Sequence, residues 1–292
     1  MAISPTLKKA YWSLAAAGAL YFVFISVLLN GWTQRQPPHR RLPRPLLRVP
    51  LPPIHVLTID YRGFGLSAGN SPTEAGLITD GIALVDYALH TIGVPAERIV
   101  IQGHSLGTAV AVAVAEHFAL RSSGVEFGGL VLVSAFEDIP SLMLTYAIGG
   151  VVPILSPLRP YPLLQRWFAE RIQETWRTGE RLAGLVGGSK WCRVFLVHAR
   201  NDFDIPWSHG ERLFRVAANA TTERGMAAKE IEAVKWRTDL GRGGWRDEWK
   251  AEGRGGAMKY VRLEVVPHGG HNRIVTYPVV SKAIVDAFGL VE

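Results

Sequence analysis

One serine in this sequence stands between two glycines, in a setting that suits a nucleophile. Gly103, His104, Ser105, Leu106 and Gly107 read G-H-S-L-G inside "IVIQGHSLGTAVAVAVAEHF", Ile99 to Phe118. An apolar, β-branched run precedes the motif and a run of helical character follows it, so it falls on a strand–turn–helix junction. A serine hydroxyl attacks a carbonyl only when a base takes its proton and the chain holds its oxygen clear of the sheet. A sharp turn does the second job, and the glycines at 103 and 107 are expected to leave room where strand and helix crowd. The following helix points its N-terminus at the site, which favours negative charge there. The Leu106 amide is placed to donate to an oxyanion. His104 is expected to pack under the turn.

Such a serine needs a base, and the base needs an acid to orient it. After a strand–elbow–helix unit, the expected chain order is serine, acid, histidine. "HARNDFDIPW" places Asp202 and Asp204 just past the end of an apolar strand. Asp202 comes first and forms D-x-x-x-P with Pro206, so it is the preferred acid. Asp204 suits an Asx turn or a helix cap and is the reserve. "VVPHGGHN" offers His268 and His271 after the last strand. Gly269 and Gly270, directly before His271, suit a loop that brings an imidazole to the serine, so His271 is the expected base and His268 the reserve. His90, His117 and His198 read as structural.

No Cys/His grouping has zinc spacing. In "DYRGFG" the pair Gly63-x-Gly65 lacks a third glycine where a dinucleotide loop needs it, and no helix opens at once. Neither a metal nor an organic cofactor is therefore expected. Cys192, alone of its kind, lies in "WCRVFLV" and reads as a packed core thiol.

These loop tips need a scaffold, and the sequence supplies a regular alternation of strand and helix. "IHVLTID" (54–60), "RIVIQG", "GGLVLVSAF", "CRVFLVHA" and "YVRLEVVP" read as strands. "LITDGIALVDYALHTIG", the segment after Ser105, "SHGERLFRVAANA" and "YPVVSKAIVDAFGL" read as helices. The pattern predicts an α/β fold, with a mostly parallel sheet carrying helices on both faces. Residues 137–188 are apolar and proline-interrupted, which suits a cap over a site. Residues 221–258 mix Gly, Trp and alternating charge and read as a surface insertion with little fixed structure.

The net charge of +7 does not imply nucleic acid. Seven bases and no acid lie in residues 1–53, which leaves 25 bases against 25 acids in the rest. Within that basic tail, Ala10 to Leu29 is an uncharged run of twenty residues, enough for about 30 Å of helix. Tyr11, Trp12 and Trp32 flank it as interfacial anchors would. The predicted organisation is a transmembrane anchor (1–32), a Pro/Arg-rich linker (33–53) and a main domain (54–292). Two lysines precede the anchor and five arginines follow it, a count that places the main domain in the cytosol.

Taken together, "DYRGFGLSAGNSPTEAGLITD", "GHSLGTAVA" and "HARNDFDIP" resemble the membrane-anchored α/β-hydrolase-domain serine lipases, over roughly residues 54–290 apart from the insertion. The resemblance implies a Ser105, Asp202, His271 triad acting on lysophospholipids or monoacylglycerols, and a lumen-facing domain at the endoplasmic reticulum. That sidedness opposes the arginine count. Such hydrolases also carry a His-Gly loop after an earlier strand, which supplies a second oxyanion donor. Nothing before Ile54 matches it, so the fold is expected to be N-terminally incomplete, with Ile54–Asp60 pairing directly to the strand before Ser105 or leaving a gap. One missing donor costs about 10²–10³ in turnover. Two alternatives therefore stand beside a membrane-anchored serine hydrolase of acyl-ester lipids: a catalytically impaired, truncated protein of this fold, and an acyl-protein thioesterase. The expected partners are the lipid or acyl-ester substrate and the membrane, with no nucleic acid; protein partners are not specified.

Overall fold

The computed structural model describes residues 53–69, 72–122, 124–145, 147–148, 152–153, 160–222, 224–252 and 258–289. The chain divides into two compact units, Met1–Asn70 and Ser71–Glu292. The expected anchor, Ala10–Leu29, and nearly all of the linker lie outside the described residues. Among the described residues, no helix is long and apolar enough to cross a membrane.

In the first unit, residues 53–69 contain no strand. This corrects the expectation for Ile54–Asp60: Ile54, Val56, Leu57 and Ile59 are exposed, with Val56 at 82%. β-branched composition favours a strand only where a neighbouring strand takes its ladder groups, and among the described residues this run has no such partner. The run ends in a tight turn. The Asp60 carboxylate accepts from the Leu66 amide at 3.0 Å, and Gly65 turns at φ 54° against that same carboxylate.

In the second unit, α1 (Glu74–Asp86) leads to β1 (Val100–His104), α2 (Leu106–His117) and β2 (Gly129–Val133). A short stretch follows with α3 (Ile139–Thr145), the strand pair β3 (Ala147–Ile148) and β4 (Val152–Pro153), α4 (Pro162–Ala169) and α5 (Thr178–Gly188). Next come β5 (Cys192–Ala199), α6 (Ser208–Ala220), α7 (Ala228–Val234), β6 (Trp236–Gly241), β7 (Gly244–Glu252), β8 (Met258–Val266), α8 (Gly270–Arg273) and α9 (Pro278–Ala287). The main sheet has the order β1-β2-β5-β8-β7-β6. β1, β2, β5 and β8 run parallel, while β7 pairs antiparallel with both β8 and β6. The four parallel strands are the sheet that the alternation predicts; the antiparallel β7 and β6 extend it.

Alternate residues explain the two helical layers. Val131 and Val133 of β2, with Phe195, Val197 and Ala199 of β5, pack with Val280, Ala283 and Ala287 of α9. The intervening residues Leu130, Leu132, Val194 and Leu196 are equally buried and face the opposite layer. There α1 packs on α2, α2 on α5, and α5 on α6. Helix α6 buries Leu213, Phe214, Ala217 and Ala218, the spacing of one helical stripe. Cys192 is buried, and burial pushes its thiol up to about 12, as befits a core residue.

The region 221–258 departs from the expected loose insertion. It forms α7 and an antiparallel hairpin that extends the main sheet. Its period-2 pattern places Trp245, Asp247 and Trp249 opposite the buried Val265, Leu263 and Val261 of β8. Asp247 is buried there with Lys235 at 2.9 Å and takes a two-pronged grip from Arg237 at 2.6 and 2.6 Å. Arg242 (φ 53°) and Gly243 (φ 80°) form the two-residue turn, both left-handed as a tight hairpin demands. Residues 253–257 of this region lie outside the described residues.

Candidate active site

Four parallel strands deliver their C-terminal ends to one edge of the sheet, and the candidate residues sit just past three of them. Ser105 follows β1 with φ 54° and ψ −124°, a left-handed backbone that costs on the order of 1–3 kcal/mol in a non-glycine residue. The turn is held from both sides. The Ser105 amide donates to the Val133 carbonyl at 3.0 Å, and the Ser105 carbonyl accepts from the Thr108 amide at 2.9 Å and the Thr108 hydroxyl at 2.6 Å.

Gly103 is required by close approach. A methyl there would overlap the Gly107 carbonyl and lie 2.7 Å from Thr108 Cα. Gly107 is different: a Cβ at that position meets nothing within 4 Å, so its lack of a side chain does not relieve the crowding expected of it. Its part is to bring its own backbone against Gly103. Leu106 opens α2, and the amide of a first helical residue has no acceptor within its helix.

The acid loop follows β5. Asp202 is buried, and its Oδ1 accepts from the amides of Asp204 at 3.1 Å and Ile205 at 2.9 Å. Its Oδ2 accepts from His271 Nδ1 at 2.9 Å. Burial pushes the Asp202 carboxyl up. The hydrogen bond and charge of His271, the His198 ring and the Ile205 amide together outweigh burial, and hold it below the usual carboxylate range. The carboxylate is thus the stable form.

His271 is buried on the short helix α8. Its Nε2 lies 2.9 Å from Ser105 Oγ and accepts that hydroxyl's proton, since Nδ1–H is committed to Asp202. The structure therefore joins Ser105, His271 and Asp202 in one line of hydrogen bonds. Of the reserves, His268 is exposed, outside this line. Asp204 lies close by: ligand atoms of Asp202, Asp204 and His271 all fall within 4.8 Å of one another. Burial, with the adjacent Asp202 charge, raises the Asp204 carboxyl against the pull of His271. These three could in principle surround a cation. Both His271 nitrogens, however, are already committed to Ser105 and Asp202.

Three neighbours escape a reading of motifs. His104 does not simply pack under the turn: its Nε2–H donates to the His271 carbonyl at 2.9 Å. Burial, and repulsion from His271, lower its pKa to about 4, so it is neutral. His198, expected to be structural, donates from Nε2 to the Ile205 carbonyl at 3.2 Å and so ties β5 to the acid loop. Burial lowers it to about 4 as well. Asn201 Oδ1 accepts from the Gly270 amide at 2.9 Å and joins the acid loop to the histidine loop. A lone amide or a core histidine carries no pattern that sequence could have flagged.

With this geometry in view, residues 27–283 match the profile of the alpha/beta hydrolase family. The chain belongs to that family. Among curated relatives, this alpha/beta hydrolase is 30% identical to the human protein ABHD12B over 170 residues, 57% of this chain and 42% of the relative. It is 29% identical to the chicken lysophosphatidylserine lipase ABHD12 over 190 residues, 64% of this chain and 45% of the relative. The chain thus spans less than half the length of these relatives. Among solved structures, an alpha-beta hydrolase from Vibrio vulnificus is 18% identical with a TM-score of 0.46, covering 78% of this chain and 61% of that one. An esterase from Pyrococcus furiosus is 14% identical with a TM-score of 0.45, covering 78% and 66%.

Proposed function

We propose that this chain is a serine hydrolase of acyl-ester lipids, of the lysophospholipid or monoacylglycerol kind. The observation that carries the reading is the relay from Ser105 Oγ to His271 Nε2, and from His271 Nδ1 to Asp202, both at 2.9 Å. In this reading Ser105 attacks the ester carbonyl while His271 takes its proton. Asp202 fixes the imidazole tautomer and stabilises the imidazolium. The Leu106 amide, at the positive end of α2, stabilises the tetrahedral oxyanion. His271 then returns the proton to the leaving alcohol, and water releases the acid by the reverse path.

A lipid substrate is supported by the name of the chicken relative, a lysophosphatidylserine lipase. It is also supported by the apolar surface of the expected cap: Leu163, Trp167 and Phe168 on α4 are exposed, Leu163 at 84%. The uncharged run Ala10–Leu29 suits a membrane anchor that holds the enzyme at the source of such lipids.

The test is a fluorophosphonate probe, which labels an activated serine. Wild-type protein is expected to react, and Ser105→Ala to lose the label. Well-folded wild-type protein that stays unlabelled would overturn the hydrolase reading. That result would favour the second reading, a catalytically impaired protein of this fold. It has its own support: among the described residues, β1 is the last strand of the sheet and no strand precedes it. Lysophospholipid, monoacylglycerol and acyl-protein thioesters, offered side by side, then separate a lipase from a thioesterase.

A further inference from the structure

Strand β6 ends the main sheet on the side away from the elbow, and among the described residues no strand lies beyond it. Its outer row of N–H and C=O groups is therefore open to another extended segment. Five of its six residues are exposed, and Trp236 is exposed at 72%.

An open edge is commonly blunted by charges of one sign, which repel a copy of themselves, or by a bulge. β6 instead carries one charge of each sign, Arg237 and Asp239, two residues apart. Its bulge falls at the far end, between Asp239 and Gly241. Trp236 to Asp239 stay in regular register with Glu248 to Trp245 of β7, which holds them extended.

This spacing makes the edge complementary to itself. Two copies laid antiparallel about Thr238 set Thr238 opposite Thr238, Arg237 opposite Asp239 twice, and Trp236 opposite Leu240 twice. Each is a favoured cross-strand pair: hydroxyl on hydroxyl, opposite charges, aromatic on aliphatic. The register is also selected. Outward-bonding residues alternate along a strand, so a second copy fits only in registers that differ by two. One such shift sets Arg237 against Arg237, and the other sets Asp239 against Asp239. Like charges directly opposite disfavour both.

The two charged groups have capacity left for a partner. Arg237 holds Asp247 through Nε and Nη2, and its Nη1 has no partner among the described residues. Asp247 already fixes that guanidinium, so a further bond orders little that is free. Asp239 accepts from the Gly241 amide at 2.8 Å through Oδ1 and makes no ion pair among the described residues.

We infer that β6 is a self-association edge, which pairs antiparallel with β6 of a second copy of this chain about a two-fold axis through Thr238. The two main sheets then form one continuous sheet. Their parallel strands point in opposite directions, so the two Ser105 elbows open on opposite edges of the joint sheet. The contact is short, which makes it a weak dimer of roughly micromolar affinity. The inference goes beyond the hydrolase reading and does not depend on it.

Position-specific cross-linking of the full-length chain, in detergent with micelles in excess, tests it. Cys192 is buried, so an introduced thiol reports alone. Thr238→Cys brings two thiols directly opposite each other. Trp236→Cys leaves them four residues apart along the paired strands, about 14 Å. A monofunctional maleimide first confirms that both thiols are accessible. A short bismaleimide, too short for the longer gap, is then expected to give a dimer with Thr238→Cys and at least about tenfold less with Trp236→Cys. The Thr238→Cys yield is expected to fall on dilution from about 50 µM to about 0.5 µM.

Charge changes are added to Thr238→Cys, with circular dichroism confirming the fold. Asp239→Lys replaces both attractions by repulsions and is expected to weaken association at least about tenfold. Asp239→Asn keeps the acceptor for the Gly241 amide and is expected to weaken it about threefold. Asp239→Glu is expected to restore it. Equal cross-linking at 236 and 238, none at 238, or a yield indifferent to Asp239→Lys overturns the inference. The free edge would then belong to a different extended segment, or to none.

Discussion

The elbow at Ser105 and the hairpin β6–β7 mark opposite edges of one sheet, and different physics holds each. The elbow relies on contact and backbone strain: a left-handed serine, a glycine with no room for a methyl, and short bonds to Thr108. The hairpin relies on charge: Asp247 between Lys235 and Arg237, Arg246 on Glu264 at 3.0 Å, and Tyr260 on Glu248 across the other face. Close contact tolerates a residue or rejects it. A charge network weakens by degrees, as its members share partners. The relay is thus anchored to the part of the sheet where small changes of volume are felt most.

The acid loop gives the sharpest test, because two carboxylates stand within reach of His271 there and only one is bonded to it. Asp202→Asn is expected to lower ester hydrolysis about 10⁴-fold by presenting the wrong tautomer. Asp204→Asn is expected to cost less than about tenfold. Steady-state kinetics on one ester checks both, and a larger loss in Asp204→Asn than in Asp202→Asn would move the acid to Asp204.

Next in size is the elbow itself. Gly103→Ala is expected to lose about 3 kcal/mol in urea unfolding, since the clash is with backbone that cannot give way. Gly107→Ala is expected to stay within about 0.5 kcal/mol. A mild Gly103→Ala would break the contrast between the two edges.

On the hairpin side, Asp247→Ala leaves the buried Lys235 with the half-exposed Glu232 as its acid partner. A loss of about 2 kcal/mol is expected. This is below the value for a fully buried pair, because Arg237 is 47% exposed.

Mild acid is expected to separate the two edges with the smallest effect. His104 and His198 are held to about 4, and His209, by burial and then Arg212, to about 3. These rings stay neutral in the fold but take protons in the unfolded chain below about 6.5. The site side therefore keeps its full stability above that pH and loses it as pH falls toward 4. Asp247 is lowered too, from a lower starting value: burial raises it, and the bonds of Arg237 and Lys235 more than reverse that. Its contribution persists until pH falls below the ordinary carboxylate value. Hydrogen exchange followed from pH 6.5 to 4 is expected to show the site loops opening before the hairpin.

How much of this the sequence disclosed follows the same division. β5 and β2 are buried on both faces, so their cores, Val194–Val197 and Leu130–Val133, read directly as apolar runs. Ser105, Asp202 and His271 were picked out by the ends of such runs, and the structure brings them together. The hairpin was illegible because its inward residues include a carboxylate and two tryptophans, and the partners of Asp247 and Trp249 are Lys235 just past α7, Arg237 on β6 and Thr221 just past α6. Ile54–Asp60 misled for the converse reason: its composition suits a strand, but a ladder needs a second chain segment that composition does not reveal. Gly107 was misjudged because its close approach involves a carbonyl, not the space a side chain would fill.

The bond from His104 to the His271 carbonyl has a mechanical consequence. Nucleophile and base stand 166 residues apart in the chain, yet a single imidazole, adjacent in sequence to one and clasped to the backbone of the other, sets their spacing locally. A displacement of the α8 backbone is therefore passed to the elbow through that ring.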